Sequence, residues 1–207
     1  MKNVTVDTKR LRIMIGILGL ALPWLVALIT WSWPQSVSIT YYSLCAVGAF
    51  MVVLGSAGTL LISYKGYDLI DDIASTIAGV AGLGVCLFPM QNVNDPSMRV
   101  GAFNIVSTTS DIIHMITAII FFAALAFISF FLFTKTSGEM TKQKKIKNII
   151  YRVCGIGMIA SFSLFLLNLI PGFNFHAMTW LIEAIALFFF GASWLVKADA
   201  FKFLRDK

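Results

Sequence analysis

The chain has 207 residues, of which 58% are hydrophobic and only 13% are charged, and its formal net charge is +6. Soluble domains average about 45–50% apolar and about 25% charged residues, so this composition excludes an ordinary soluble enzyme or DNA-binding module. It also excludes a disordered chain, because 18 Phe and 5 Trp accompany long aliphatic runs. We therefore expect an all-α integral membrane protein.

Six segments are long and apolar enough to cross a bilayer, whose hydrocarbon core of about 30 Å takes about 20 helical residues. We predict one membrane domain, residues 1–207, built as a bundle of six transmembrane helices. The predicted spans are approximately residues 13–33, 41–63, 73–90, 112–134, 149–171 and 175–196. The first run exceeds a signal-peptide core, and no small-residue cleavage site follows it, so we interpret it as a span.

Positive charge is unevenly distributed over the predicted loops. With six spans, every Lys and Arg except Arg99 falls on one side of the membrane. Cytoplasmic loops are enriched in Lys and Arg, so we expect both termini to be cytoplasmic and the protein to lie in a plasma (inner) membrane. On that side the basic segment 142–147 acts as a topology signal or contacts anionic headgroups. No nucleic-acid-binding module accompanies the charge, so the expected partners are membrane lipids and not nucleic acid.

Small residues recur at four-residue spacing in the third segment, at Ala78 and Gly82 and at Ser75 and Gly79. Such spacing allows close backbone approach between membrane helices. We therefore predict a compact bundle with the third helix at its centre, while a homo-oligomer through the same faces stays open. Buried free thiols are predicted for the three cysteines, Cys45, Cys86 and Cys154.

The long connection at residues 91–110 is polar and contains Pro96. Long loops in compact folds are functional lids or simply mobile segments, and both interpretations stay open. The polar run 107–110 before Asp111 predicts the N-cap of the fourth helix.

Ionisable residues inside a predicted span are functional candidates because burying them is costly. Glu183 lies about 12 Å inside the sixth span, at about 1.5 Å per residue from its outer end. His176, Thr179 and Glu183 share one stripe of this helix, with Trp180 beside it.

Further polar residues are predicted at the same level of the membrane. Asp111 and His114 are three residues apart at the start of the fourth span, and Asn168 lies in the fifth. We predict an outward-facing pocket between helices three to six, centred on Glu183 and His114. Structural alternatives exist: Asp111 also suits a helix N-terminus, His176 a membrane interface, and Glu183 a hydrogen bond between helices.

No cofactor is predicted, with zinc as the alternative. The set His114, His176, Asp111 and Glu183 has suitable zinc ligands, but no spacing such as HxxxH holds two of them on one face. A Ser-His-Asp hydrolase is disfavoured because the sequence has no nucleophile-elbow motif.

Four stretches resemble the prokaryotic membrane proteins grouped as domain-of-unknown-function family 998. They are AGVAGLGVCLFP at 78–89, followed by a polar loop and His114, then IYRVCGIG at 150–157, WLIEAIA at 180–186 and GASWLVK at 191–197. The resemblance covers about residues 13–197 and implies a multi-pass bundle in a plasma membrane. It implies no activity. Alkaline ceramidases and adiponectin receptors hold zinc with three histidines in seven helices, a pattern from which this chain departs.

Three functions remain open from the sequence. The first is binding or moving a lipid or small amphiphile in the pocket around Glu183 and His114. The second is a membrane-embedded lipid hydrolase or transferase that uses the same residues as metal ligands or acid/base groups. The third is a structural or assembly subunit without a ligand.

Overall fold

The computed structural model describes residues 7–136, 138–165 and 176–204. Within these ranges the chain forms six α-helices. They are α1 Thr8–Thr30, α2 Val47–Ser63, α3 Leu69–Leu87, α4 Ser107–Phe127, α5 Lys142–Ser163 and α6 Met178–Lys197. Two strands of two residues each, β1 (Arg99–Val100) and β2 (Ile105–Val106), pair antiparallel before α4. The predicted all-α class is confirmed.

Four helices are long and apolar enough to cross a membrane: α1, α3, α4 with its continuation to Leu132, and α6. Helix α2 is apolar but has only 17 residues. Helix α5 begins with the basic segment 142–147, which lowers the mean hydropathy of its first turns. Length and composition thus support a membrane protein with at least these four candidate spans.

All six helices begin at residues other than the predicted span starts, and two of these shifts change a prediction. Helix α2 starts at Val47 rather than at residue 41, because Ser38–Tyr42 forms a separate 3-10 turn. Helix α4 starts at Ser107, and its N-cap residue is Val106, so the capping role predicted for residues 107–110 is wrong.

The serines at the start of α4 fasten the preceding loop instead. Ser107 Oγ accepts a hydrogen bond from the Asn92 N–H at 2.7 Å. Ser110 Oγ donates to the Pro89 carbonyl at 2.7 Å. The two serine hydroxyls therefore form hydrogen bonds between α4 and the segment that follows α3.

The helices form a ring in chain order, and α6 closes the ring by packing along α1. The prediction of a central third helix is wrong, because among the described residues α3 packs mainly on α2 and α4. Its small residues allow these two helices to approach closely. A Cβ on Gly79 would collide with the carbonyl oxygen of Gly58 in α2, and one on Gly84 would lie 2.6 Å from Thr117 Cγ2 in α4.

The ring interior is packed differently at its two ends. We call the end that carries described residues 7 and 204 the terminal end, and the opposite end the distal end. In the terminal half, the fully buried Trp194 packs edge-to-face on Tyr64 and Phe133, with ring centroids 4.9 and 5.1 Å apart. This aromatic layer closes the terminal half, and a cavity lies inside the ring toward the distal end.

Two of the three cysteines are buried, as predicted. Cys86 and Cys154 are buried, but Cys45 is exposed, so its predicted burial is wrong. The cause is the late start of α2, which leaves Cys45 in the turn before that helix.

Candidate functional site

A cavity of about 260 Å³ lies inside the ring at its distal end. Its walls are mainly aliphatic and aromatic, and include Phe50, Leu54, Phe121, Phe122, Phe162 and Leu187. Five polar residues also line it, Ser36, Ser38, His114, Thr179 and Glu183. An apolar cavity of about 150 Å³ binds benzene, so this one has room for roughly ten non-hydrogen atoms.

The α4 wall of the cavity includes a side chain that is also exposed. Met115 lines the cavity, and it is also 45% exposed. A ligand therefore has a short path to the cavity past one flexible side chain.

Glu183 is held by the connection between α1 and α2 rather than by another helix. Its Oε2 accepts from the Val37 N–H at 2.5 Å, and its Oε1 accepts from the Ser38 hydroxyl at 3.2 Å. The same connection meets α6 at Trp180, whose backbone N–H donates to the Gln35 carbonyl at 2.9 Å. Glu183 and the Trp180 N–H thus hold residues 35–38 across the first turns of α6.

His114 is anchored to the end of α3. Its Nδ1 lies 2.8 Å from the carbonyl oxygen of Phe88, the C-cap residue of α3, and a carbonyl at a helix C-terminus has no partner within the helix. A carbonyl only accepts hydrogen bonds, so Nδ1 carries the proton, and a neutral ring keeps an acceptor lone pair on Nε2. The side chain is buried at the cavity wall.

Thr179 lines the same cavity, four residues before Glu183 on α6. The cavity therefore brings together three of the predicted site residues, one from α4 and two from α6. Trp180 faces the other way. Its Nε1–H donates to the Pro23 carbonyl at 3.2 Å, and its ring packs on Trp24 and Trp33.

Two other predicted residues, Asp111 and His176, are described and do not line the cavity. Asp111 Oδ1 accepts from the Gln91 N–H at 2.9 Å and thereby holds the loop after α3. His176 is exposed before the start of α6. Asn168 lies outside the described residues.

Sequence reasoning missed Ser36 and Ser38. They belong to a short connection without a motif, and Ser38 is 145 residues from its partner Glu183. The only available signal was that this connection joins two spans at the predicted outer side, where Glu183 was also placed.

The predicted zinc set is not assembled by the described residues. Glu183 and His114 line the cavity, but Asp111 and His176 do not. Within the described ranges, no group of three or more His, Cys, Asp and Glu side chains is placed to hold a metal ion.

The cavity presents hydrogen-bond acceptors in apolar surroundings. Glu183 offers carboxylate oxygens, and His114 offers Nε2 in its neutral form. Both accept a hydrogen bond from a hydroxyl or an amine, whereas an anionic group would face a carboxylate across a poorly screened space.

Comparisons of the chain with protein-family models, with curated proteins and with solved structures find no match. The resemblance to family 998 therefore stays a prediction.

Proposed function

We propose that this is a multi-pass membrane protein that binds a small amphiphile in the distal cavity. The observation that carries the proposal is that Glu183 and His114, two acceptor side chains from different helices, line one mainly apolar cavity. All six helices cross the bilayer in this proposal. In this proposal both termini are cytoplasmic, in a plasma (inner) membrane. The support is that every described Lys and Arg except Arg99 lies in the half of the bundle at the terminal end, and cytoplasmic loops are enriched in these residues.

The ligand has an apolar body and a head that donates hydrogen bonds. The aromatic and aliphatic walls favour a chain or ring system. Glu183 and His114 favour an alcohol or amine over a carboxylate, because a buried acceptor gains nothing from a second acceptor.

The interior of the ring is better suited to binding a ligand than to letting a ligand pass from one end to the other. The aromatic layer around Trp194 lies between the cavity and the terminal end. A ligand that arrives from the bilayer past Met115 therefore meets a closed floor, so we propose a binding protein rather than a continuous channel.

The test uses the purified full chain in neutral detergent with three ten-carbon probes: decan-1-ol, decylamine and decanoate. We expect the alcohol and the amine to raise the thermal midpoint, and decanoate to have little effect. A probe at ten times its Kd stabilises the folded state by about 1.4 kcal/mol.

Two variants separate the cavity from the lipid-facing surface. Ala118→Phe fills the cavity and should abolish the shift, whereas Ala123→Phe makes the same change at an exposed position of α4 and should preserve it. His114→Asn keeps a donor for Phe88 but removes Nε2, so it should weaken binding with little loss of stability. Equal shifts for all three probes, or equal behaviour of the two Phe variants, would refute the proposal.

A further inference from the structure

The terminal end holds a second group of unusual polar side chains. Lys197, the last residue of α6, is only 8% exposed. Its Nζ lies 4.7 Å from the centroid of the Tyr67 ring and 5.1 Å from that of Phe133. Its ammonium group makes no hydrogen bond or ion pair with the described residues, and the two ring faces contribute to stabilising its charge.

Arg12, near the start of α1, lies next to Lys197. Its Nη1 donates to the Lys197 carbonyl at 3.5 Å, and its guanidinium lies 5.4 Å from the Tyr64 ring centroid. Its Nε–H is buried and has no acceptor within the part of the chain that the structure describes. A buried donor without an acceptor is unfavourable, so an acceptor from outside the chain would stabilise this arrangement.

The carboxylates around these two cations are engaged by other lysines. The ion pairs nearby are Asp71–Lys135 at 2.8 Å, Asp199–Lys147 at 2.7 Å and Asp72–Lys65 at 3.1 Å. Arg12 and Lys197 belong to none of them. Among the described residues, neither cation is therefore paired directly with a carboxylate.

We infer that Arg12 and Lys197 form a binding site for an anionic phosphate ester at the terminal end. Phosphate oxygens accept charge-assisted hydrogen bonds, and Arg and Lys are the side chains that bind them best. The position suits the headgroup of an anionic lipid as well as free phosphate, since juxtamembrane cations face the lipid headgroups. The site lies at the opposite end from the cavity and does not depend on the proposed function.

The experiment compares phosphatidylglycerol with phosphatidylcholine on the full chain in neutral detergent, with bound lipid counted by native mass spectrometry. We expect the wild type to prefer phosphatidylglycerol. Lys197→Met keeps the apolar stem but removes the charge, and should lower the affinity for phosphatidylglycerol about fivefold or more. Lys145→Met removes an exposed charge at the same end and should change it less than about twofold.

A second arm identifies the source of the phosphate group. Inorganic phosphate is compared with chloride at equal ionic strength, and the thermal midpoint is measured. Stabilisation by phosphatidylglycerol alone assigns a lipid site, and stabilisation that includes inorganic phosphate assigns a site for the phosphate group itself, provided that each effect is lost in Lys197→Met.

Two further variants test the roles of the Lys197 charge and of Arg12. Lys197→Arg should retain the preference, and Arg12→Gln, which removes the buried Nε–H, should lose it. Arg12→Gln also carries the test if Lys197→Met does not fold. Equal losses in Lys197→Met and Lys145→Met, or no preference in the wild type, would overturn the inference.

Discussion

At the scale of single residues, Glu183 has two roles, because it lines the cavity and holds Val37 and Ser38 in place. The Val37 N–H and the Ser38 hydroxyl have this carboxylate as their acceptor. The wall of the cavity therefore depends on Glu183, the same side chain that we assign to ligand binding. The effect of a Glu183 variant on folding stability must be measured separately from its effect on binding.

Replacing Glu183 with Leu should destabilise the protein by about 1–3 kcal/mol, because it leaves the Val37 N–H without its acceptor in apolar surroundings. Glu183→Gln keeps one carbonyl oxygen and should cost less. Thermal unfolding in detergent measures both. Glu139→Gln, at an exposed position, is the matched control and should be neutral. A Leu variant as stable as the wild type would contradict the hydrogen bonds described for Glu183.

Glu183 and His114 were predicted from the sequence because an ionisable group deep in an apolar segment stands out from its neighbours, and both line the cavity. Their partners could not be predicted. Glu183 meets a loop 146 residues earlier in the chain. Trp180 shows a different limit: it adjoins the predicted stripe in sequence, yet its indole N–H finds the Pro23 carbonyl on α1 and turns away from the cavity.

At the scale of helices, glycines set how closely neighbouring helices approach. The four-residue spacing in α3 indicated close packing, and Gly79 does meet Gly58 of α2. The contact between α1 and α6 was not foreseen, because neither Gly16 nor Gly191 has a small residue four positions before or after it. A Cβ on Gly191 would lie 2.6 Å from the Gly16 carbonyl oxygen.

Gly79→Ala should destabilise the bundle by about 1–3 kcal/mol, because the added methyl group collides with backbone and forces α2 and α3 apart. Gly55→Ala is the control within α2, where an added Cβ would meet nothing within 4 Å. It should be neutral or stabilising by up to about 1 kcal/mol, through helix propensity. Unfolding in detergent compares the two, and equal effects would contradict the packing of α2 on α3.

Lys135 joins the end of α4 to the start of α3, where its Nζ lies 2.8 Å from carboxylate oxygens of Asp68 and Asp71. The hydrogen bond from Lys135 lowers the pKa of Asp68 below its ordinary 3.8, and the same bond raises the pKa of Lys135 above 10.5. The contribution of Asp68 to stability is therefore complete above pH 3.8 and is lost as the pH falls through the lowered pKa. The contribution of Lys135 is complete below pH 10.5 and is lost at higher pH.

Lys135→Met should accordingly be less stable than the wild type between pH 3.8 and 10.5, and the difference should narrow in acid. Unfolding midpoints measured across this range test the expectation. Lys142→Met removes an exposed lysine with no ion pair among the described residues, and should show no such dependence. A deficit that persists unchanged well below pH 3.8 would show that Lys135 acts through something other than the ion pair.

At the scale of the whole molecule, the ring divides the protein into a basic, tightly packed terminal end and a distal end that holds the cavity. Apolar length indicated the helices, and the distribution of Lys and Arg indicated two different ends. The ring order could not be predicted, because helix contacts in a membrane depend on small local features rather than on hydrophobicity. The cavity was not visible in the sequence either, since it is space left between side chains of several helices.

Cys45 reports the orientation of the molecule. It is exposed at the distal end, whereas Cys86 and Cys154 are buried. If the distal end faces outward, a membrane-impermeant maleimide should label Cys45 in intact cells, and Cys45→Ser should abolish the signal. Thr136→Cys in the Cys45→Ser background places a thiol at an exposed position of the terminal end and should react only after permeabilisation. The reverse pattern would invert the proposed topology.

Amphiphile binding in the cavity is tested most directly by photolabelling with a decanol analogue that carries a diazirine, followed by peptide mapping. We expect labels on cavity residues such as Met115 and Leu187, competition by decan-1-ol, and loss of labelling in Ala118→Phe. Labels confined to the outer groove around Phe131 and Ile156, without competition, would contradict a binding site inside the ring.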